Sequence, residues 1–177
     1  MPAAALSFDL GYSYVHAEYT DFDVANGTGG FFDYTDRKFA GVPKHQFNAT
    51  VNFTPIADDQ TGKVTLSGSY TYRSSFFINE LFQTGAQVRT QAGFSPALVS
   101  AIPDHPAGVS IPGVGLFNGR IAWENVMGTR FGVALYGKNL ANKLYANSGL
   151  SLCESLGTIT NTYGDPRTYG IEVSFRF

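Results

Sequence analysis

At 177 residues the chain has the length of one domain and 44% hydrophobic content, yet charged residues make up only 15% and aromatic residues as much as 15%. A formal net charge of −2 offers no basic stripe for nucleic acid, and the single Cys153 leaves no intrachain disulfide or thiolate metal cluster. No apolar run approaches the roughly 18–20 residues of a spanning helix, which excludes a helical membrane protein.

The polypeptide begins Met1-Pro-Ala-Ala-Ala-Leu-Ser-Phe-Asp9, without a basic leader and with Asp9 interrupting the apolar stretch, so it is not expected to be a secretory signal. A membrane protein built of strands and starting here is expected to be a piece of a longer chain or a truncated reading frame.

Six segments then alternate with a period of two, the signature of extended strands. The first covers about Leu6 to Tyr19, with Leu6, Phe8, Leu10, Tyr12 and Tyr14 on one side. The second covers about Gln46 to Thr54, where Phe47, Ala49, Val51 and Phe53 oppose asparagines and threonines. The third runs about Lys63 to Ser75, the fourth about Leu116 to Asn125, and the fifth about Arg130 to Leu140. The sixth begins at Thr168 and sets Tyr169, Ile171, Val173, Phe175 and Phe177 against Thr168, Gly170, Glu172, Ser174 and Arg176.

Charge follows the same parity. Asp9, Lys63, Arg73, Arg120, Glu124, Arg130, Lys138, Glu172 and Arg176 all fall on the polar side, and the apolar side carries only Glu18, where the alternation is already failing. A Lys or Arg facing lipid near mid-bilayer costs about 2–4 kcal/mol, so this exclusion suits a membrane strand. A solvated sheet over a soluble core would exclude charge in the same way. Connection lengths separate the two. Short turns (Pro55 to Gly62, and around Met127-Gly128-Thr129) alternate with long links at about Thr20 to His45, Phe76 to Gly115 and Ala141 to Tyr163. An up-and-down sheet would then carry every long loop at one end, as outer-membrane barrels do. Unstructured loops of that length are uncommon in compact soluble domains. The fold expected is all-β, an antiparallel transmembrane barrel wall of about six strands belonging to a larger barrel.

The stretch Tyr136-Gly-Lys-Asn-Leu-Ala-Asn-Lys-Leu-Tyr145, followed by Gly164-Asp-Pro-Arg-Thr-Tyr-Gly170 and the alternating finish to Phe177, resembles the C-terminal barrel region of TonB-dependent outer-membrane receptors. Gly41-Val-Pro-Lys-His-Gln-Phe-Asn48 and Tyr70-Thr-Tyr-Arg-Ser74 are similar to that family's strand entries and exits, so the likeness spans residues 1–177. Asn142 stands where the family commonly has Asp, and Ala141 where a bulkier residue is frequent. The resemblance implies a barrel of about 22 strands with a plugged lumen. The plug and its energy-coupling box are absent from this sequence. It further implies the outer membrane of a Gram-negative cell and active uptake of a scarce solute, a ferric siderophore first, with cobalamin or an oligosaccharide as other candidates. The implied partners are outer-membrane lipid, the barrel-assembly machinery, the TonB complex acting through the missing plug, and a small-molecule or chelate ligand. Tyr169, Phe175 and Phe177 resemble the terminal signal read by the assembly machinery.

The remaining residues give an expectation of binding and not of catalysis. His16, His45 and His105 lie far apart without ligand spacing, so neither a metal site nor a cofactor is expected. Asp58-Asp59 reads as a turn former, and no Gly-x-Ser-x-Gly stretch or phosphate loop occurs, so the chain is not expected to be an enzyme. Arg73, Arg120, Glu124, Lys138, Glu172 and Arg176 are expected in the lumen, pairing across strands, facing water or contacting a plug. Tyr12, Tyr14, Tyr70, Tyr72, Trp123, Tyr145 and Tyr169 suit interfacial girdles. Between Asn79 and Pro112 the chain is unusually apolar, and Phe82, Phe94 and Leu98 are the candidate ligand-loop residues, with one or two helical turns over Ser95 to Ile102. A loop folded on its own small core is the other reading of that segment. Two other classes stay open: a small self-contained outer-membrane barrel with a structural or adhesive role, and a soluble β-sandwich binding module.

Overall fold

The computed structural model describes residues 5–25, 29–78, 110–152 and 158–177. Six long strands form a single antiparallel sheet: β1 (Ala5–Tyr14), β4 (His45–Asp58), β5 (Gly62–Arg73), β8 (Val114–Glu124), β9 (Phe131–Lys138) and β12 (Thr168–Phe175). They lie side by side in chain order, each hydrogen-bonded to the next. The fold is all-β, as the period of two predicts. No closed barrel forms among the described residues, since β1 and β12 are the two outer strands of the sheet.

Register lines the alternating residues into continuous rows. Leu6, Phe53, Leu66, Ile121, Leu135 and Ile171 sit opposite one another from edge to edge. One row nearer the loop end, Phe8, Val51, Gly68, Gly119, Gly137 and Tyr169 do the same. The three central glycines leave a shallow apolar depression of about 550 Å³, with Leu140 over the positions of Gly119 and Gly137. The opposite face carries Ser7, Asn52, Ser67, Arg120 and Tyr136 in one row and Asp9, Thr50, Ser69 and Asn118 in the next.

Burial is inverted relative to a soluble sheet. Leu10, Ile171 and Val173 are 72%, 70% and 69% exposed, while the enclosed side chains of the sheet are Ala122 and Ala134, at 5% and 4%, on the charged face. Among the described residues no second layer covers the apolar face, so the two-layer core of a sandwich is not what these strands build.

The bounds differ from the sequence reading in instructive ways. β1 stops at Tyr14, five residues short, because the alternation beyond it is not matched by a partner strand. β4 extends to Asp58 across a register shift between Phe53 and Ile56 that accommodates Pro55, a residue with no ladder N–H to give. The long connections are not structureless. They hold three short antiparallel pairs: β2 (Asp23–Ala25) with β3 (Phe31–Asp33), β6 (Phe76–Phe77) with β7 (Ser110–Ile111), and β10 (Ala146–Leu152) with β11 (Thr158–Tyr163). The first pair is stabilised by rings: Tyr19 stacks on Phe39 at 4.1 Å and tilts against Phe22 at 4.5 Å, and Phe22 meets Tyr34 at 5.8 Å. Phe32 and Tyr34 are buried there, giving this connection a small core of its own.

All long connections leave from one end of the sheet and all short turns from the other. The apolar face is aromatic toward both ends: Tyr12, Tyr14, Phe47, Tyr70, Tyr72 and Tyr169 near the loops, and Phe53, Trp123, Phe131 and Phe175 near the turns. Phe8 and Phe117 stand among the aliphatic residues of the intervening rows.

Candidate functional site

The charged face meets the loop end at an open cavity of about 520 Å³. One wall comes from alternate positions of adjacent strands, Ser13, Gln46, Asn48, Thr71 and Arg73, which register brings side by side. Gly11 contributes by having no side chain, since a Cβ there would fall 2.3 Å from Asn48 Oδ1. The other wall is Tyr145 and Asn147, at the start of the β10–β11 hairpin.

Local chemistry fixes that second wall. Asn139 sits at the end of β9 with φ 49, a left-handed conformation that asparagine tolerates better than most residues. Its side chain is buried, and Nδ2 donates to the carbonyls of Lys143 at 2.9 Å and Asp165 at 3.1 Å. Its Oδ1 accepts from the Lys143 N–H at 2.9 Å, and its own N–H donates to Asn118 Oδ1 at 3.0 Å. One residue thereby joins β8, β9 and the entry to β12. Downstream, Tyr145 lies flat against Gly164, where a Cβ would come within 2.2 Å of the ring, and the Gly164 N–H donates to the Tyr145 carbonyl at 2.9 Å. Tyr145 therefore belongs to the cavity and not to the outer girdle, which corrects the sequence expectation.

Among the described residues, Arg73 is the one charged residue lining the cavity. Its Nη2 donates to the Ala146 carbonyl, and its guanidinium lies over the Phe76 ring at 4.8 Å from the centroid. Nη1 is enclosed and donates to no acceptor among the described residues. Elsewhere on the same face five charges find partners. Arg120 pairs with Glu172 at 3.1 Å, and Glu124 stands between Lys63 and Arg176, both at 3.8 Å. These pairs are half-exposed, so each contributes at most about 1 kcal/mol.

The candidate assembly residues separate into two places. Phe175 packs on Phe131 at 4.8 Å and meets Phe177 edge-on at 5.3 Å, all near the turn end. Tyr169 lies at the opposite end of β12, beside Gly137, with the Arg167 guanidinium 5.8 Å from its ring centroid. The candidate ligand-loop residues Phe82, Phe94 and Leu98 lie outside the described residues, as do Cys153, His105 and the proposed helical turns.

His45 is not a loop residue. It opens β4 on the apolar parity opposite Tyr14, with a hydrogen bond of 2.8 Å between Nδ1 and the Tyr12 hydroxyl. His16 pairs with Glu18 at 3.1 Å beyond β1. Among the described residues no group of three or more His, Cys, Asp or Glu could hold a metal ion. Asp58 Oδ1 accepts the N–H groups of Gln60 and Thr61 at 3.0 and 2.5 Å, the geometry of a turn former. Asp33 does the same for Thr35 at 2.8 Å, and that backbone N–H, with the Thr35 hydroxyl, holds its carboxyl below the usual range.

Asn139 and Arg73 carry this site, and periodicity gave no sign of either role. The signal for Asn139 was the asparagine pair in Asn139-Leu-Ala-Asn142, since both residues take positive φ. No protein-family model and no curated protein matches the chain.

Proposed function

We propose that these residues form the C-terminal wall of the barrel of a TonB-dependent outer-membrane receptor, facing lipid on the apolar side and a protein-filled lumen on the other. The observation that carries the reading is the inverted sheet, six adjacent strands whose large apolar side chains stay uncovered while the charges collect on the opposite face. In water such a face would be a standing aggregation hazard, whereas acyl chains would cover it without cost. Strand lengths of 8 to 14 residues suit a tilted crossing, for which about 9–11 are needed. Tyrosines of the apolar face (Tyr12, Tyr14, Tyr70, Tyr72 and Tyr169) gather toward the loop end, a placement that suits the interfacial level of a bilayer. Two unpaired edges in hydrocarbon would cost several kcal/mol per lost bond, so the sheet is read as an arc completed by further strands.

The activity that follows is uptake of a scarce solute, a ferric siderophore first, driven by the TonB complex through a plug seated against Arg120, Glu172 and Lys138. Radiolabelled iron uptake by iron-starved cells tests it. Deleting the gene segment for these residues, or the TonB protein, is expected to abolish uptake of the receptor's siderophore. Uptake that persists without TonB overturns the transport reading.

A further inference from the structure

We propose that the loop-end cavity binds a small solute through a carboxylate, with Arg73 as the recognising residue; this deepens the uptake reading and rests on it for the solute's origin. The volume, about 520 Å³, is in the range of small-molecule sites. Its polar wall offers side-chain hydroxyls and amides from Ser13, Gln46, Asn48 and Thr71, which orient a ligand without adding charge. Among the described residues no Asp or Glu lines it, and Arg73 is the only charged one there. A partly enclosed cation without a counter-ion is the costly half of an ion pair, and such groups are normally paired or hydrogen-bonded.

The hydrogen count on the guanidinium points to a carboxylate. Nη2 spends one hydrogen on the Ala146 carbonyl and keeps a second, while Nη1 keeps both. A planar carboxylate can take one hydrogen from each terminal nitrogen, the bidentate geometry for which arginine is suited and lysine is not. Nη1 has no exposed surface in the unliganded arrangement, so the solute must draw the guanidinium toward the cavity, sliding it over the Phe76 ring. Tyr145, seated on Gly164, closes the far side and supplies a flat apolar surface for the remainder of the solute.

The test uses the full chain folded in detergent micelles, with amide hydrogen exchange confirming protection of the six strands. Succinate and its neutral counterpart succinamide are titrated calorimetrically at fixed ionic strength. Saturable binding of succinate without binding of succinamide is expected. Arg73→Gln is expected to weaken succinate about tenfold or more, and Arg73→Lys to recover only part of that loss. Equal affinity for the two probes, unchanged binding in Arg73→Gln, or no saturable binding by the folded chain overturns the proposal. Should Arg73→Gln fail to fold, the comparison of the two probes on the unaltered chain decides. Uptake that proves independent of TonB would remove the transport reading and leave an Arg73-dependent succinate site standing.

Discussion

At the turn end of the sheet, two neighbouring turns interlock through one carbonyl. Thr61 O accepts from Trp123 Nε1 at 2.8 Å and from the Met127 N–H at 3.1 Å, and Gly62 lies beneath the backbone of Glu124 and Asn125. The loop end is built differently. Its strands diverge into short paired strands, of which β2–β3 has a small core of its own, the contacts between them are made by single residues such as Asn139 and Arg73, and a cavity is left open. Sheet register is set where the chain reverses tightly, and room for a ligand exists where the chain is long enough to leave the sheet. Stability and recognition thus draw on opposite ends of the same strands.

The sharpest way to break that contrast is at Gly62. Its φ is 95, and a Cβ would lie 2.3 Å from the Asn125 carbonyl oxygen and 2.4 Å from that of Glu124. Those atoms are backbone and cannot turn aside. Gly62→Val is therefore expected to cost about 4 kcal/mol or more, read as a fall in the urea midpoint of the detergent-folded chain. Asn139→Ala at the loop end is expected to cost about 2–4 kcal/mol, from the lost bonds to Lys143 and Asp165 and the positive φ left to alanine. Asn139→Asp should do no better at neutral pH, because a carboxylate would face two carbonyl oxygens where the amide donated. Unfolding midpoints close to that of the unaltered chain would remove Asn139 as the joint between strands.

Trp123→Phe keeps the ring and loses the donor to Thr61. A cost of about 0.5–1.5 kcal/mol is expected, with faster exchange at the Met127 amide and no change at the loop end. The smallest effect concerns Asp33. Its folded carboxyl is lowered by the Thr35 N–H and hydroxyl, so its contribution to the β2–β3 pair is present above the ordinary carboxylate value and fades as pH falls through the lowered one. Asp33→Asn should speed exchange at the Thr35 amide near neutral pH, and the difference should vanish in acid. A difference that grows in acid would contradict the sign.

The long strands were legible in the sequence because their residues answer to two environments in strict alternation, and that pattern survives in the register from Leu6 to Ile171. The alternation of loop lengths indicated which end of an up-and-down sheet carries the long connections. The hairpins were not legible. β2 and β3 hold three residues each, too few for a period to register, and their pairing rests on ring contacts among Tyr19, Phe22, Tyr34 and Phe39. Asn139 reaches a carbonyl 26 residues away, a relation no local window contains. The parity of Arg73 was visible, but its lack of a carboxylate partner among the described residues depends on which strands surround it. Tyr145 was misplaced for the same reason: it has its role from the hairpin and not from its neighbours in the chain.

Trp123 is the only tryptophan, and it lies on the apolar face near the turn end, which makes it a reporter of what that face touches. With the chain folded into bilayers, its fluorescence should be quenched by lipids brominated along the acyl chain, most strongly when the bromines lie near the headgroup. Aqueous iodide should have little effect. Quenching by iodide with none from any brominated lipid would mean that water, and not hydrocarbon, meets the uncovered face.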